Sequence, residues 1–87
     1  MENPIAGLIL PEQFDPADIV DLRGLEAPQP MITILEAGMQ LGPGDHYLAL
    51  LPHVPHPLFP HLESRRLAWQ VFEQADGSAV VAVRRGP

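Results

Sequence analysis

The chain has 87 residues, no cysteine and a net charge of −6, and all five of its basic residues are arginines. This length allows one small domain and leaves no room for a second. The acidic balance argues against non-specific nucleic-acid binding, which needs a basic surface, and the lack of cysteine excludes disulfide bonds and thiolate metal sites.

Residues 1–17 contain three prolines around one short apolar run, residues 5–10. This pattern predicts an extended N-terminal arm, followed by a folded domain over residues 18–87. The apolar run is too short for the core of a signal peptide or for a membrane span. We therefore expect a soluble, cytoplasmic protein that does not bind membranes.

The first strand and the first helix follow the arm. Ile19, Val20 and Leu22 indicate a short strand, and Gly24 marks a sharp turn after it. Prolines are tolerated in the first turn of a helix, so a helix of about fourteen residues is predicted to begin at Pro28. Its predicted buried face is the apolar stripe Met31, Ile34, Leu35, Gly38 and Leu41. The Gly-Pro pair at residues 42–43 ends this helix.

Residues 46–51 form the second predicted strand, which is apolar from Tyr47 to Leu51 rather than alternating. That pattern belongs to a strand covered on both faces, whereas a two-layer sandwich leaves one face of its sheet open. Three explanations stay open: residues 5–10 of the arm cover the second face, a second copy covers it in a homodimer, or exposed apolar residues are tolerated there.

A proline-rich loop and a short helix to about Arg66 precede the last two strands, residues 67–74 and 78–85. Asp76 and Gly77 join these strands as a hairpin. The expected faces of the hairpin are Phe72, Val81 and Val83 on one side and Val71, Val80 and Ala82 on the other. The predicted order is β-α-β-α-β-β, an α+β fold in which two helices lie on one face of a four-stranded mixed sheet as a two-layer α/β sandwich.

Residues 21–31 read Asp-Leu-Arg-Gly-Leu-Glu-Ala-Pro-Gln-Pro-Met. This run resembles the signature that opens the TusA/SirA-like sulfur-carrier domains, where a strand ending in Asp-Leu-Arg-Gly-Leu leads to Cys-Pro-x-Pro at the start of a helix. Ala27 stands in the place of that cysteine, while Pro28 and Pro30 remain. The resemblance covers residues 18–85 and is greatest to an uncharacterised branch that lacks the cysteine. It implies the TusA-like fold and excludes sulfur transfer, because a methyl group cannot hold a persulfide.

The start of the first helix is a potential anion site. Helix N-terminal amides and the helix dipole favour negative charge, and Arg23 would assist while Glu26 opposes. The sequence favours a simpler interpretation, in which Arg23 pairs with a carboxylate and the prolines only start the helix.

Three histidines, His53, His56 and His61, lie within nine residues. Histidine is a common metal ligand, and three can form an open site, so a histidine-based metal or haem protein linked to redox metabolism is the alternative function. Their spacing matches no known ligand motif. The sequence favours a cap on the second helix for His56 and surface positions for His53 and His61, and it predicts no cofactor.

The proline-rich loop, residues 51–60, is rigid and lowers the entropic cost of presenting its apolar side chains to a partner. The TusA-like fold implies that this loop lies at the same end of the sheet as the Ala27 turn, so that both form one surface. The predicted surface consists of Arg23, Glu26, Ala27, Pro28, His53, His56, Leu58 and Phe59. The sequence therefore favours a non-catalytic binding or regulatory module for an unknown protein partner or small ligand; in the competing interpretation Leu58 enters the core. No catalytic residue is identified, and an enzyme without a recognisable motif ranks last.

Overall fold

The computed structural model describes residues 7–86. A short 3-10 helix, Pro16–Asp18, leads into a four-stranded sheet with two helices. The elements are β1 (Ile19–Asp21), α1 (Gln29–Gln40), β2 (His46–Leu51), α2 (Leu58–Ser64), β3 (Leu67–Glu73) and β4 (Ala79–Arg85). This order is the predicted β-α-β-α-β-β, and the α+β fold is confirmed.

The strands lie in the order β1-β2-β4-β3 across the sheet. The outer strand β1 pairs with β2 in parallel, as expected for strands joined through a helix. Strand β4 is antiparallel to both β2 and β3, which makes the sheet mixed. Strand β2 is therefore interior, which agrees with its continuous apolar sequence.

Helix α1 presents its apolar stripe to the sheet. Ile34 and Gly38 are buried, and a side chain at Gly38 would meet Leu67, because a Cβ built there lies 2.7 Å from the Leu67 Cδ1 atom. The glycine thus allows α1 to approach the sheet closely. The helix ends where expected, with the Leu41 amide donating to the Gly38 carbonyl at 3.2 Å. No helix within residues 7–86 is long and apolar enough to cross a membrane.

The main core lies between the sheet and the two helices. Leu58 and Leu62 of α2 and Ile34 of α1 are buried there against the sheet. The sheet and the turn after β1 contribute Leu22, Ala49, Leu51, Leu67, Val81 and Val83. Both helices therefore cover one face, as predicted.

The N-terminal arm covers the opposite face of the sheet. Leu8, Leu10 and Phe14 pack against a second buried cluster, which consists of Ile19, Leu48, Leu50, Val80 and Ala82. The ring of Phe14 also lies 5.7 Å from that of Phe72. The structure thus supports the first of the three explanations for this face at positions 8 and 10, whereas residues 5 and 6 lie outside the described residues. A homodimer stays a prediction.

The predicted faces of the β3–β4 hairpin are wrong. Phe72 is paired with Val80 and Val71 with Val81 across the two strands. Residues directly opposite each other in an antiparallel pair share a face, so Phe72 belongs with Val80 and Ala82 on the arm side. Val71 belongs with Val81 and Val83 on the helix side. The register across the turn decides this assignment, and strand composition alone does not reveal it.

Candidate functional site

A pocket of about 340 Å³ opens at the carboxyl ends of β1 and β2. One wall is the turn after β1 with the first turns of α1, and the other is the proline-rich loop with the start of α2. The lining residues are Leu25, Ala27, Pro28, Pro30, Met31, Ile34, Leu51, Pro52, His53, Pro55, Pro57 and Leu58. Parallel strands bring their carboxyl ends to the same edge of a sheet, and the Ala27 turn and the proline-rich loop meet there.

The start of α1 offers few hydrogen-bond donors. The peptide bond between Ala27 and Pro28 is cis, and Pro28 precedes the first helical residue. The Gln29 amide donates to the Glu26 carbonyl at 2.9 Å, and Pro30 has no N–H. At most the Met31 amide of the first three helical residues is left for a ligand. This helix N-terminus therefore lacks the set of free amides that makes an anion site.

Arg23 is paired with a carboxylate, as the sequence favours. Its Nε donates to Asp21 Oδ1 at 2.9 Å and its Nη2 to Asp21 Oδ2 at 2.7 Å. The hydrogen bond from the Arg23 side chain lowers the pKa of Asp21, and the same bond raises the pKa of Arg23. The guanidinium is thus occupied by a two-pronged ion pair at the surface and does not line the pocket.

The proline-rich loop forms the second wall with its prolines and His53. The His53 Nδ1 lies 3.3 Å from the carbonyl oxygen of Val54, and the ring is exposed. Leu58 lines the pocket but is only 1% exposed and belongs to the main core. Its amide donates to the Pro55 carbonyl at 2.9 Å, which fixes the start of α2. Leu58 therefore forms the floor of the pocket rather than a projecting contact.

His56 does not cap α2, and this prediction is wrong. Pro57 occupies the cap position, and no side chain caps the helix. The His56 ring instead lies edge-on to Phe59, with 5.8 Å between ring centroids. Phe59 in turn stacks on Trp69 at 5.4 Å with an interplanar angle of 8°. These three rings form an aromatic row from the residue before the Pro57 cap, through α2, to β3, and none of them lines the pocket.

The histidines do not assemble a metal centre within the described part of the chain. Residues 7–86 contain no group of three histidine, cysteine, aspartate or glutamate side chains close enough to hold a metal ion. His53, His56 and His61 are all exposed. The fourth histidine, His46, packs edge-on to Phe14 on the arm side of the sheet, with ring centroids 5.3 Å apart.

The structure brings together half of the predicted surface. Ala27, Pro28, His53 and Leu58 line the pocket, whereas Arg23, Glu26, His56 and Phe59 do not. Sequence reasoning missed Met31 and Ile34 as pocket residues, although both belong to the apolar stripe of α1. Both lie in the first two turns of α1. The Ala27 turn directly precedes this helix, so the apolar residues at the start of the helix lie close to it, and this signal could have identified them.

A search of curated proteins found no significant match to the chain. A family model, DUF2249, described as an uncharacterized conserved protein, matches residues 19–85. The match begins at the first residue of β1 and ends at the last residue of β4, so it spans both helices and the whole pocket. The chain therefore belongs to the DUF2249 family.

Proposed function

We propose that this protein is a non-catalytic binding module of TusA-like architecture, and that it binds an apolar group in the pocket between the Ala27 turn and the proline-rich loop. The observation that carries the proposal is the pocket itself, about 340 Å³ in volume and walled almost entirely by apolar side chains and prolines. The Arg23-Gly24-Leu25 run and the two prolines at 28 and 30 support the TusA-like relation.

The chemistry of the walls supports binding rather than catalysis. Among the described lining residues, His53 is the one ionisable side chain, and no nucleophile lines the pocket with it. A lone imidazole offers proton transfer at most, whereas covalent catalysis needs a nucleophile next to a base. Ala27 occupies the position that carries the nucleophile in sulfur carriers, and its methyl group instead widens the apolar wall.

The rigidity of the walls favours binding. A proline ring fixes its backbone φ angle, so two walls that together contain five prolines lose little further freedom when a ligand enters. Each Å² of apolar surface that the ligand removes from water contributes roughly 25 cal/mol to the free energy of binding. A pre-formed apolar pocket of this size is near the lower end of the range for small-molecule sites, which is about 300–1,000 Å³.

The proposal can be tested with a neutral apolar probe, N-acetylphenylalanine amide, titrated into the isotope-labelled full chain and followed by amide NMR. With about 15 heavy atoms at a ligand efficiency of about 0.3 kcal/mol each, we expect a binding free energy of about −4.5 kcal/mol, which corresponds to a Kd near 0.5 mM. We expect saturable shifts at the amides of Leu25, Ala27, Met31, Leu51 and His53.

Two matched variants make this test specific. Ala27→Leu fills the pocket and should abolish the shifts. Ala17→Leu makes the same change at an exposed position before β1, at the opposite end of the sheet, and should leave the titration unchanged. Shifts that survive Ala27→Leu, or no saturable shift in the unaltered protein, would contradict the proposed site.

A further inference from the structure

The walls of the pocket are poor in hydrogen-bond donors. Five of its twelve lining residues are prolines, which have no N–H. Two further amides in these walls are used internally, since Leu25 donates to the Leu22 carbonyl at 3.2 Å and Leu58 to the Pro55 carbonyl at 2.9 Å. A carboxylate or phosphate needs several converging donors, and these walls offer few of them.

The charge beside the pocket is negative. In the two wall segments, residues 24–31 and 51–58, the one formal charge is that of Glu26, between the lining residues Leu25 and Ala27. The nearest cation along the chain, Arg23, is neutralised by its ion pair with Asp21. Glu26 is exposed, and the whole chain carries a net charge of −6. The local and the overall field both attract cations to this edge of the sheet.

One exposed apolar side chain lies on the rim of the pocket, and another follows the lining residue Met31 in the chain. Leu25, on the rim, is 45% exposed, and Ile32, in the first turn of α1, is 39% exposed. A pocket for one large side chain with exposed apolar residues and a charge at its edge is typical of a protein–protein anchor site. A small molecule confined to the pocket would leave the exposed part of Leu25 in water.

We propose that the occupant is a segment of a partner protein that inserts one large apolar side chain into the pocket and carries lysine or arginine next to it. This inference rests on the proposed function, because it assigns the ligand of the same pocket. The apolar side chain supplies affinity, and the basic neighbour pairs with Glu26 and selects the segment by charge. The scarcity of donors in the walls, together with Glu26, disfavours an acidic segment of equal apolar content.

Three capped pentapeptides test this assignment on the full chain by NMR titration: acetyl-Gly-Arg-Phe-Arg-Gly-amide, the same peptide with glutamate for both arginines, and the same peptide with alanine for phenylalanine. We expect the Arg-Phe-Arg peptide to bind with a Kd at least about threefold lower than that of the glutamate peptide at low salt. The alanine peptide should give no saturable shift. Glu26→Gln should reduce the difference in Kd between the arginine and the glutamate peptide. Glu36 is an exposed carboxylate in the middle of α1, and Glu36→Gln should leave that difference unchanged.

The outcomes separate this inference from the proposed function. Equal binding of the arginine and glutamate peptides, or a preference that Glu26→Gln leaves unchanged, would overturn the charge assignment while the pocket remains a binding site. If the alanine peptide binds as tightly as the Arg-Phe-Arg peptide, the arginines act alone, and the proposed insertion of an apolar side chain is overturned. Failure of the neutral phenylalanine probe and of all three peptides would overturn the pocket itself.

Discussion

The side chain of Gln74 binds both backbone polar groups of Ile9. The Ile9 amide donates to Gln74 Oε1 at 2.6 Å, and Gln74 Nε2 donates to the Ile9 carbonyl at 3.0 Å. The side-chain amide of Gln74 thus makes with Ile9 the pair of hydrogen bonds that a neighbouring strand would make. The same Nε2 also donates to the Phe72 carbonyl at 2.8 Å, which holds the side chain against β3.

Gln74→Ala should loosen the arm without unfolding the domain. The change removes the two exposed hydrogen bonds to Ile9 and the partly buried one to the Phe72 carbonyl. At a net worth of about 0.5–1 kcal/mol each, we expect a loss of about 2 kcal/mol in the free energy of unfolding. The Ile9 amide should exchange with solvent much faster. Urea unfolding and hydrogen exchange measure both effects, and Gln70→Ala, an exposed change on β3, is the control. Unchanged exchange at Ile9 would show that this contact does not hold the arm.

Deletion of residues 1–12 should uncover the second core cluster. It removes Leu8 and Leu10, whose partial burial is worth roughly 1 kcal/mol each. The Tm should therefore fall by about 10 °C, since about 1 kcal/mol corresponds to about 4–8 °C in a domain of this size. The exposed apolar face should also cause self-association, which sedimentation velocity detects. A truncated protein with the original Tm and size would show that the arm contributes nothing to this face.

Gly38→Leu should be strongly destabilising, because its side chain would have to displace the buried Leu67 side chain between α1 and β3. Even a Cβ at this position lies 2.7 Å from the Leu67 Cδ1 atom, and Leu67 is buried. We expect a loss of about 2–3 kcal/mol from overpacking in spite of the better helix propensity of leucine. Met39→Leu places the same side chain on the exposed neighbouring position and should change stability by less than about 0.5 kcal/mol.

Asp76 should make stability depend on pH on the acid side. The hydrogen bond from the Ser78 hydroxyl, aided by that from its backbone amide, lowers the pKa of Asp76 below its ordinary value of about 3.9. A depressed folded-state pKa stabilises the protein at neutral pH, and this contribution is lost as the pH falls through the folded-state pKa. The free energy of unfolding of Asp76→Asn should thus differ most from that of the unaltered protein at neutral pH and least near pH 2.

Chemical unfolding at a series of pH values checks this prediction. Ser78→Ala removes the hydroxyl donor and retains the backbone amide. It should therefore reduce the dependence of the free energy of unfolding on pH only in part. A difference between Asp76→Asn and the unaltered protein that stays constant from pH 7 to pH 2 would contradict the assigned cause.

Most of the fold follows from local sequence signals. The continuous apolar run in β2 predicts a strand covered on both faces, the Gly-Pro pair at 42–43 ends α1, and Asp76-Gly77 lies in the hairpin connection. The Gly-Pro and Asp-Gly signals succeed because they depend on backbone preferences of neighbouring residues, and the apolar run succeeds because burial on both faces requires apolar side chains. The faces of β3 and β4 depend instead on register, which a five-residue connection between Glu73 and Ala79 leaves open to sequence reasoning.

The candidate site could be predicted only in part. The resemblance to TusA-like domains predicts that the Ala27 turn and the proline-rich loop lie at one edge of the sheet. The buried side chains of Ile34 and Leu58 also line the pocket, and only the packing of the helices reveals this. The prediction for His56 fails because Pro57 starts α2 and the imidazole finds Phe59 as a neighbour. Side-chain contacts across elements, rather than residue type, decide these positions.

The arm has a consequence for behaviour on dilution. A sheet face that a second copy covers becomes exposed when the dimer dissociates, so the stability of such a protein depends on its concentration. Here Leu8, Leu10 and Phe14 belong to the same polypeptide as the face they cover, and their effective concentration is set by the short connection to β1. The covering of this face therefore does not depend on protein concentration, and the face stays covered however scarce the protein is.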